Sequence, residues 1–106
     1  MIKEIEYSPE AVNDLQGVEE YISIELDNSK SAERIVDNII DKIDSLSDLP
    51  EIGVPLSSCV DVKTDYRYLV CGNYNVFYRI EYDTLKIIRV LNARRNFITV
   101  LFGMDC

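Results

Sequence analysis

The sequence predicts an α+β domain in which a helical hairpin packs on a mainly antiparallel sheet. Three observations lead there. Apolar residues recur twice at helical spacing between residues 9 and 49. Residues 66–91 then alternate as strands, broken by Gly72-Asn73 and Tyr82-Asp83-Thr84. The length, 106 residues, suits one core, so the chain reads as a single domain over 1–106.

Each element has a local cause. Ile2, Ile5 and Tyr7 fit a short first strand. Ser8-Pro9-Glu10 starts a helix: the serine caps a free amide, proline suits the first helical position, and glutamate favours the positive end of the dipole. Val12, Leu15, Val18, Ile22 and Leu26 form its apolar stripe. Gly17 weakens this helix by up to about 1 kcal/mol against alanine, and is expected to let the second helix approach. After the turn at Asp27-Asn28-Ser29, Ala32, Ile35, Val36, Ile39, Ile40, Ile43 and Leu46 line a second helix, with Glu33, Asp37, Asp41, Lys42 and Asp44 opposite. The short link makes the pair antiparallel. Pro50 ends the second helix, because the residue before proline is pushed out of helical geometry. Residues 50–64, with Gly53 and Pro55, read as an irregular surface connection.

In the hairpins, Gly72-Asn73 supplies the positive φ that tight turns favour. The third strand puts Tyr74, Val76, Tyr78 and Ile80 on one face and Asn75, Phe77, Arg79 and Glu81 on the other. The fourth puts Ile88 and Val90 opposite Ile87, Arg89 and Leu91. Both faces are partly apolar, so something besides the hairpin covers the second one: either the C-terminal segment 97–102 or a partner protein.

Composition narrows the function classes. An apolar content of 47% and a charged content of 28% are those of a soluble globular protein. Neither a membrane span nor a signal peptide is visible, so a cytoplasmic location is expected. Cys59, Cys71 and Cys106 are an odd count without C-x-x-C spacing, which predicts neither a disulfide framework nor a zinc site. The net charge of −8 is uneven: residues 1–60 hold fourteen acids against four bases, and residues 61–106 hold seven bases against five acids. That field opposes sequence-blind nucleic-acid binding, while leaving a basic sheet surface. The chain has no histidine, which removes the usual general base, the commonest metal ligand, and any Ser-His-Asp or Cys-His arrangement. No cofactor or metal is expected. The remaining chemistry lies in Arg67, Arg79, Arg89, Arg94 and Arg95, which can hold phosphate or carboxylate, and in Tyr66, Tyr68, Tyr74, Tyr78 and Tyr82, which can stack. Strand arginines equally pair with helix carboxylates, and strand tyrosines equally pack.

The wording of the chain resembles the RelE/ParE superfamily of bacterial type II toxins. The resemblance rests on Tyr7-Ser8-Pro9-Glu10-Ala11, Asp14-Leu15 and Tyr21-Ile22, then Ala32 and Ile39 through Leu49-Pro50-Glu51-Ile52-Gly53. Tyr66-Arg67, Tyr74-Asn75-Val76-Phe77-Tyr78-Arg79-Ile80 and Ile88-Arg89-Val90-Leu91-Asn92-Ala93-Arg94-Arg95 complete it. It implies a β-α-α-β-β-β fold, a plasmid-stabilisation or growth-arrest toxin, and a co-encoded antitoxin that wraps it. RelE-like members cleave mRNA on the ribosome with basic side chains and often a C-terminal tyrosine. ParE-like members poison DNA gyrase and need no nuclease site.

Here Arg67 and Arg95 match expected basic positions, but Leu69 and Asn75 stand where bases are expected. The tyrosine position falls near Leu101, with only Phe97 and Phe102 close by, and phenylalanine cannot exchange a proton. The resemblance therefore implies a ParE-like gyrase inhibitor that acts by binding. A ribosome-dependent mRNA endonuclease using Arg67, Arg94 and Arg95 is the alternative, and a non-toxic antitoxin-binding remnant is a third. Expected target contacts are Arg67, Arg89, Arg94 and Arg95. Expected antitoxin contacts are Phe97, Leu101 and Phe102. The expected assembly is a homodimer or a heterotetramer with antitoxin.

Overall fold

The computed structural model describes residues 2–103. A five-stranded sheet has the order β1-β5-β4-β3-β2. β1 (Glu4–Tyr7) runs parallel to β5 (Thr84–Asn92), and the other neighbours are antiparallel: β4 (Tyr74–Glu81), β3 (Arg67–Cys71) and β2 (Val54–Pro55). Two helices, α1 (Pro9–Glu20) and α2 (Ser29–Ser45), form the predicted hairpin on one face. Ala11, Leu15, Ile39, Ile43 and Leu46 meet Val76, Tyr78, Leu85, Ile87 and Val90 there.

The side chains of its N-cap, Ser8, and of Asp14 fix α1 to β5. The Ser8 Oγ accepts from the Ala11 amide at 3.0 Å, as a cap should, and donates to the Ile88 carbonyl at 2.6 Å. That carbonyl belongs to a β-bulge: Phe77 pairs with Arg89 and Tyr78 with Ile87, so Ile88 has no partner on β4. Six residues further, Asp14 accepts two guanidinium bonds from Arg89 (2.7 and 2.9 Å) and the Val90 amide (2.9 Å). The bulge also changes the facing of β5. Leu85, Ile87 and Val90 share the helix-side core while Leu91 joins the opposite cluster, where strict alternation grouped Ile88 with Val90 and Ile87 with Leu91.

The stripe of α1 departs from expectation at three places. Val12 is 41% exposed, and Ala11 takes the core position in its stead. Beyond Glu20 the helix widens into a π-helical turn (Tyr21–Glu25), which carries Leu26 off the core line to 59% exposure. Gly17 faces no second helix, since a Cβ built there meets nothing within 4 Å. The connection 50–64 is also less irregular than expected. It contains β2 at the sheet edge, where Pro55 loses little by lacking an amide hydrogen, and a 3-10 turn (Leu56–Ser58).

The chain's own C-terminal segment covers the second face. α3 (Phe97–Phe102) packs with Leu56 against Phe77 and Leu91. Phe97 lies 5.4 Å from the Phe77 ring, and Phe102 stacks on Tyr66 at 5.8 Å. Cys59 is exposed and Cys71 buried, both free thiols, while Cys106 lies outside the described residues. No helix among the described residues is long and apolar enough to cross a membrane.

Candidate functional site

The basic residues of the sheet are the place to begin, because the structure employs most of them internally. Arg79 pairs with Asp65 (3.0 Å) and Glu81 (2.7 Å), and Lys86 lies 3.7 Å from Glu81. Arg89 is held by Asp14, with side chains only 21% and 12% exposed. These carboxylates hold the Arg79 and Arg89 guanidinium groups above their ordinary range, chiefly through the hydrogen bonds to Asp65 and Asp14. The basic sheet surface read from the sequence is thus largely neutralised by its neighbours.

Arg67 is occupied differently. Its Nη1 donates to the carbonyls of Glu51 (3.0 Å) and Gly53 (2.8 Å). From the adjacent strand the Tyr78 hydroxyl donates to the Pro50 carbonyl (2.8 Å) and accepts the Gly53 amide (2.9 Å). Tyr78 is fully buried, so it is no stacking platform for a base. Burial pushes its phenol above the usual value, against the opposing effects of the Gly53 amide and Arg67. Gly53 is required at this contact: a Cβ would lie 2.7 Å from Tyr78 Cε1. Arg67 and Tyr78 together fasten Pro50-Glu51-Ile52-Gly53 to the sheet, leaving the Leu49 and Ile52 side chains about 60% exposed at 61% and 60%.

Arg94 and Arg95 are placed otherwise. They sit on the turn leaving β5, exposed and with no ion pair among the described residues. The turn itself is well fixed. The Ala93 amide donates to the Asn73 carbonyl (2.8 Å), the Arg94 amide to Asn92 Oδ1 (2.9 Å), and the Arg95 amide to the Asn92 carbonyl (2.9 Å). Two cations therefore project from a hydrogen-bonded turn at the end of the sheet, as expected from their position after the last strand.

The structure does not bring the predicted arginines together. Arg67 faces Tyr78, whereas Arg94 and Arg95 follow Asn92, which faces Tyr74. Four residues of strand separate the two ends, about 13 Å. Arg67, offered with Arg94 and Arg95 for a nuclease site, thus leaves the sheet at a different level from the other two. Arg67 and Arg89, expected as target contacts, each spend part of their donors inside the fold, on the Glu51 and Gly53 carbonyls and on Asp14. Phe97, Leu101 and Phe102 are half-buried against the sheet, so they act first as part of the fold.

A groove opens beside Arg95 that sequence reasoning missed. Its cavity volume is about 370 Å³, and it runs between α1 and the ends of β4 and β5, past Gly17, Val18, Tyr21, Tyr74, Val90 and Arg95. The available signal was Gly17, a helix-interior glycine with no packing reason.

Comparison with known proteins fits this geometry. No curated protein matches the sequence significantly. Among solved structures, the chain is similar to a chain of the chromosomal ParDE TA system from P. aeruginosa, with a TM-score of 0.71 and 17% identity over 86% of this chain and 96% of that one. At that identity the likeness establishes the fold. A family model described as the ParE toxin of the type II toxin-antitoxin system, parDE, matches residues 5–97. With that match over most of its length, the chain belongs to the ParE family of type II toxins.

Proposed function

We propose that this toxin arrests growth by binding DNA gyrase, without hydrolysing a substrate, and that a cognate antitoxin neutralises it in the cytoplasm. The observation that carries the reading is the Arg94–Arg95 turn: two cations without carboxylate partners among the described residues, on a hydrogen-bonded backbone, in a protein whose other sheet arginines are occupied. Preorganised, exposed guanidinium groups suit recognition of an acidic protein surface. The rival, ribosome-dependent mRNA cleavage, is disfavoured by the separation of Arg67 from Arg94 and Arg95. It is also disfavoured by a net charge of −8, which opposes docking on ribosomal RNA. Assembly with antitoxin as a heterotetramer, or a homodimer of the free toxin, is the expected oligomeric state, and light scattering on each species tests it.

The deciding experiment incubates purified toxin with gyrase and supercoiled or relaxed plasmid, and in parallel with a translation extract. Inhibited supercoiling or stabilised cleavage complexes, with intact mRNA, is the expected result. Intact gyrase activity with cut mRNA overturns the proposal. Inactivity in both assays, with antitoxin binding retained, identifies a remnant that only binds antitoxin.

A further inference from the structure

We infer that Asn92 is a positioning residue for target binding: its side chain holds the turn that presents Arg94 and Arg95, so that both guanidinium groups meet the target from a backbone already set. The inference rests on the gyrase reading above and adds to it a residue that acts through the two arginines.

Three observations carry it. The first is how the turn is tied. Asn92 is the last residue of β5. Its Oδ1 accepts the Arg94 amide at 2.9 Å, and its carbonyl accepts the Arg95 amide at 2.9 Å. One residue thus takes the backbone donors of both arginines. The Ala93 amide donates to the Asn73 carbonyl at 2.8 Å, on the turn between β3 and β4. The second observation is that Asn92 is exposed. Water would satisfy the Arg94 amide there almost as well, so the side-chain bond adds little to the stability of the fold. What the side chain supplies and water does not is direction. An asparagine bonded to the amide two residues on closes an Asx-turn, which mimics a backbone turn. The third is that Arg94 and Arg95 are exposed and have no ion pair among the described residues. Their placement therefore comes from the backbone that carries them.

The consequence for binding follows. A loose turn has to be ordered when the target is met, and that entropy is drawn from the affinity; a turn ordered beforehand avoids the loss. The choice of residue fits the same role. Aspartate forms the Asx-turn as well as asparagine does, but its carboxylate would compete with the target for the two guanidinium groups. Asparagine gives the acceptor without the charge.

The test uses the full-length toxin with purified gyrase and relaxed plasmid. Inhibition of supercoiling is titrated for wild type, Asn92→Ala, Asn92→Ser, Asn92→Thr and Arg94→Ala/Arg95→Ala, with a melting curve and the hydrogen-exchange rate of the residue 94 amide for each. Asn92→Ala is expected to inhibit about tenfold more weakly, to melt within about 5 °C of wild type, and to exchange the Arg94 amide faster. Asn92→Ser and Asn92→Thr, whose hydroxyls make the same turn more weakly, are expected to inhibit more strongly than Asn92→Ala, in proportion to the protection they restore. Inhibition by Asn92→Ala as strong as that of wild type, while Arg94→Ala/Arg95→Ala fails to inhibit, overturns the inference and leaves the gyrase reading intact. A hydroxyl variant that protects the Arg94 amide as wild type does, yet inhibits as weakly as Asn92→Ala, also overturns it, because Asn92 then touches the target itself. So does a fall in melting temperature of about 10 °C or more for Asn92→Ala, which marks a residue that holds the fold. Failure of wild type to inhibit gyrase overturns the gyrase reading, and this inference with it.

Discussion

Tyr78→Phe removes one oxygen and should loosen a whole loop. The hydroxyl makes two bonds, to the Pro50 carbonyl at 2.8 Å and from the Gly53 amide at 2.9 Å, from a side chain that is fully buried. A net intramolecular hydrogen bond contributes about 1 kcal/mol, and an orphaned buried donor costs about 1–3 kcal/mol. Allowing for water reaching the Pro50 carbonyl, the loss is about 2.5 kcal/mol. For a chain of 106 residues the unfolding entropy is about 0.2 kcal/mol per kelvin, so the melting temperature should fall by roughly 11 °C. The phenylalanine ring still fills the core, so no cavity term is added. The assay is a thermal melt together with hydrogen exchange of the Gly53 amide, whose protection should drop far more than that of the sheet amides. Gly53→Ala crowds the same ring and breaks the same bonds, so the double variant should cost much less than the two single losses added. A Tyr78→Phe protein melting within 2 °C of wild type, with Gly53 still protected, refutes the reasoning.

Other expectations follow from the same contacts. Asp14→Ala leaves Arg89 and the Val90 amide without their partner at a mostly buried site, and should cost about 3 kcal/mol, read as a lower urea midpoint. Alkaline pH should destabilise the fold. Tyr78 and Tyr7 are raised, chiefly by burial, so the stability they contribute is complete below the unfolded value of about 10 and is lost as pH rises through their folded values. Cys71, also raised by burial, adds to this loss from about pH 8.5; urea midpoints between pH 7 and 11 measure the trend, which should flatten in Tyr78→Phe. Replacing Phe97, Leu101 and Phe102 together by alanine should lower the melting temperature by 10 °C or more, since α3 loses its grip on Phe77 and Tyr66; an unchanged melt would show that α3 is not part of the fold.

The order of elements was legible because it rests on local signals. Ser8-Pro9, the Ile39–Ile43–Leu46 stripe, Pro50 and Gly72-Asn73 each act within a few residues. What escaped depends on partners far along the chain. The bulge at Ile88 is satisfied by Ser8, eighty residues away, and it reverses the facing of the rest of β5. β2 spans only two residues, too short for any alternation to show. The arginines were identified by type, but their partners were not. Asp14 and the carbonyls of residues 51 and 53 occupy Arg89 and Arg67, whereas Arg94 and Arg95 were placed correctly because they lie just past a strand end. The groove beside Gly17 needs α1 and β5 side by side, which the sequence does not specify to a residue.

The central claim is that this toxin acts through the Arg94–Arg95 turn by binding gyrase. The most direct measurement is gyrase supercoiling in the presence of purified wild-type toxin and of the Arg94→Ala/Arg95→Ala variant, with a melting curve for each. Both side chains are exposed and without ion pairs among the described residues, so their removal should shift melting by no more than about 2 °C, the small effect expected of surface substitutions. The account predicts that wild type inhibits supercoiling and that the equally stable double variant does not. Equal inhibition by both proteins, or no inhibition by wild type while mRNA is cut in a translation extract, would contradict it.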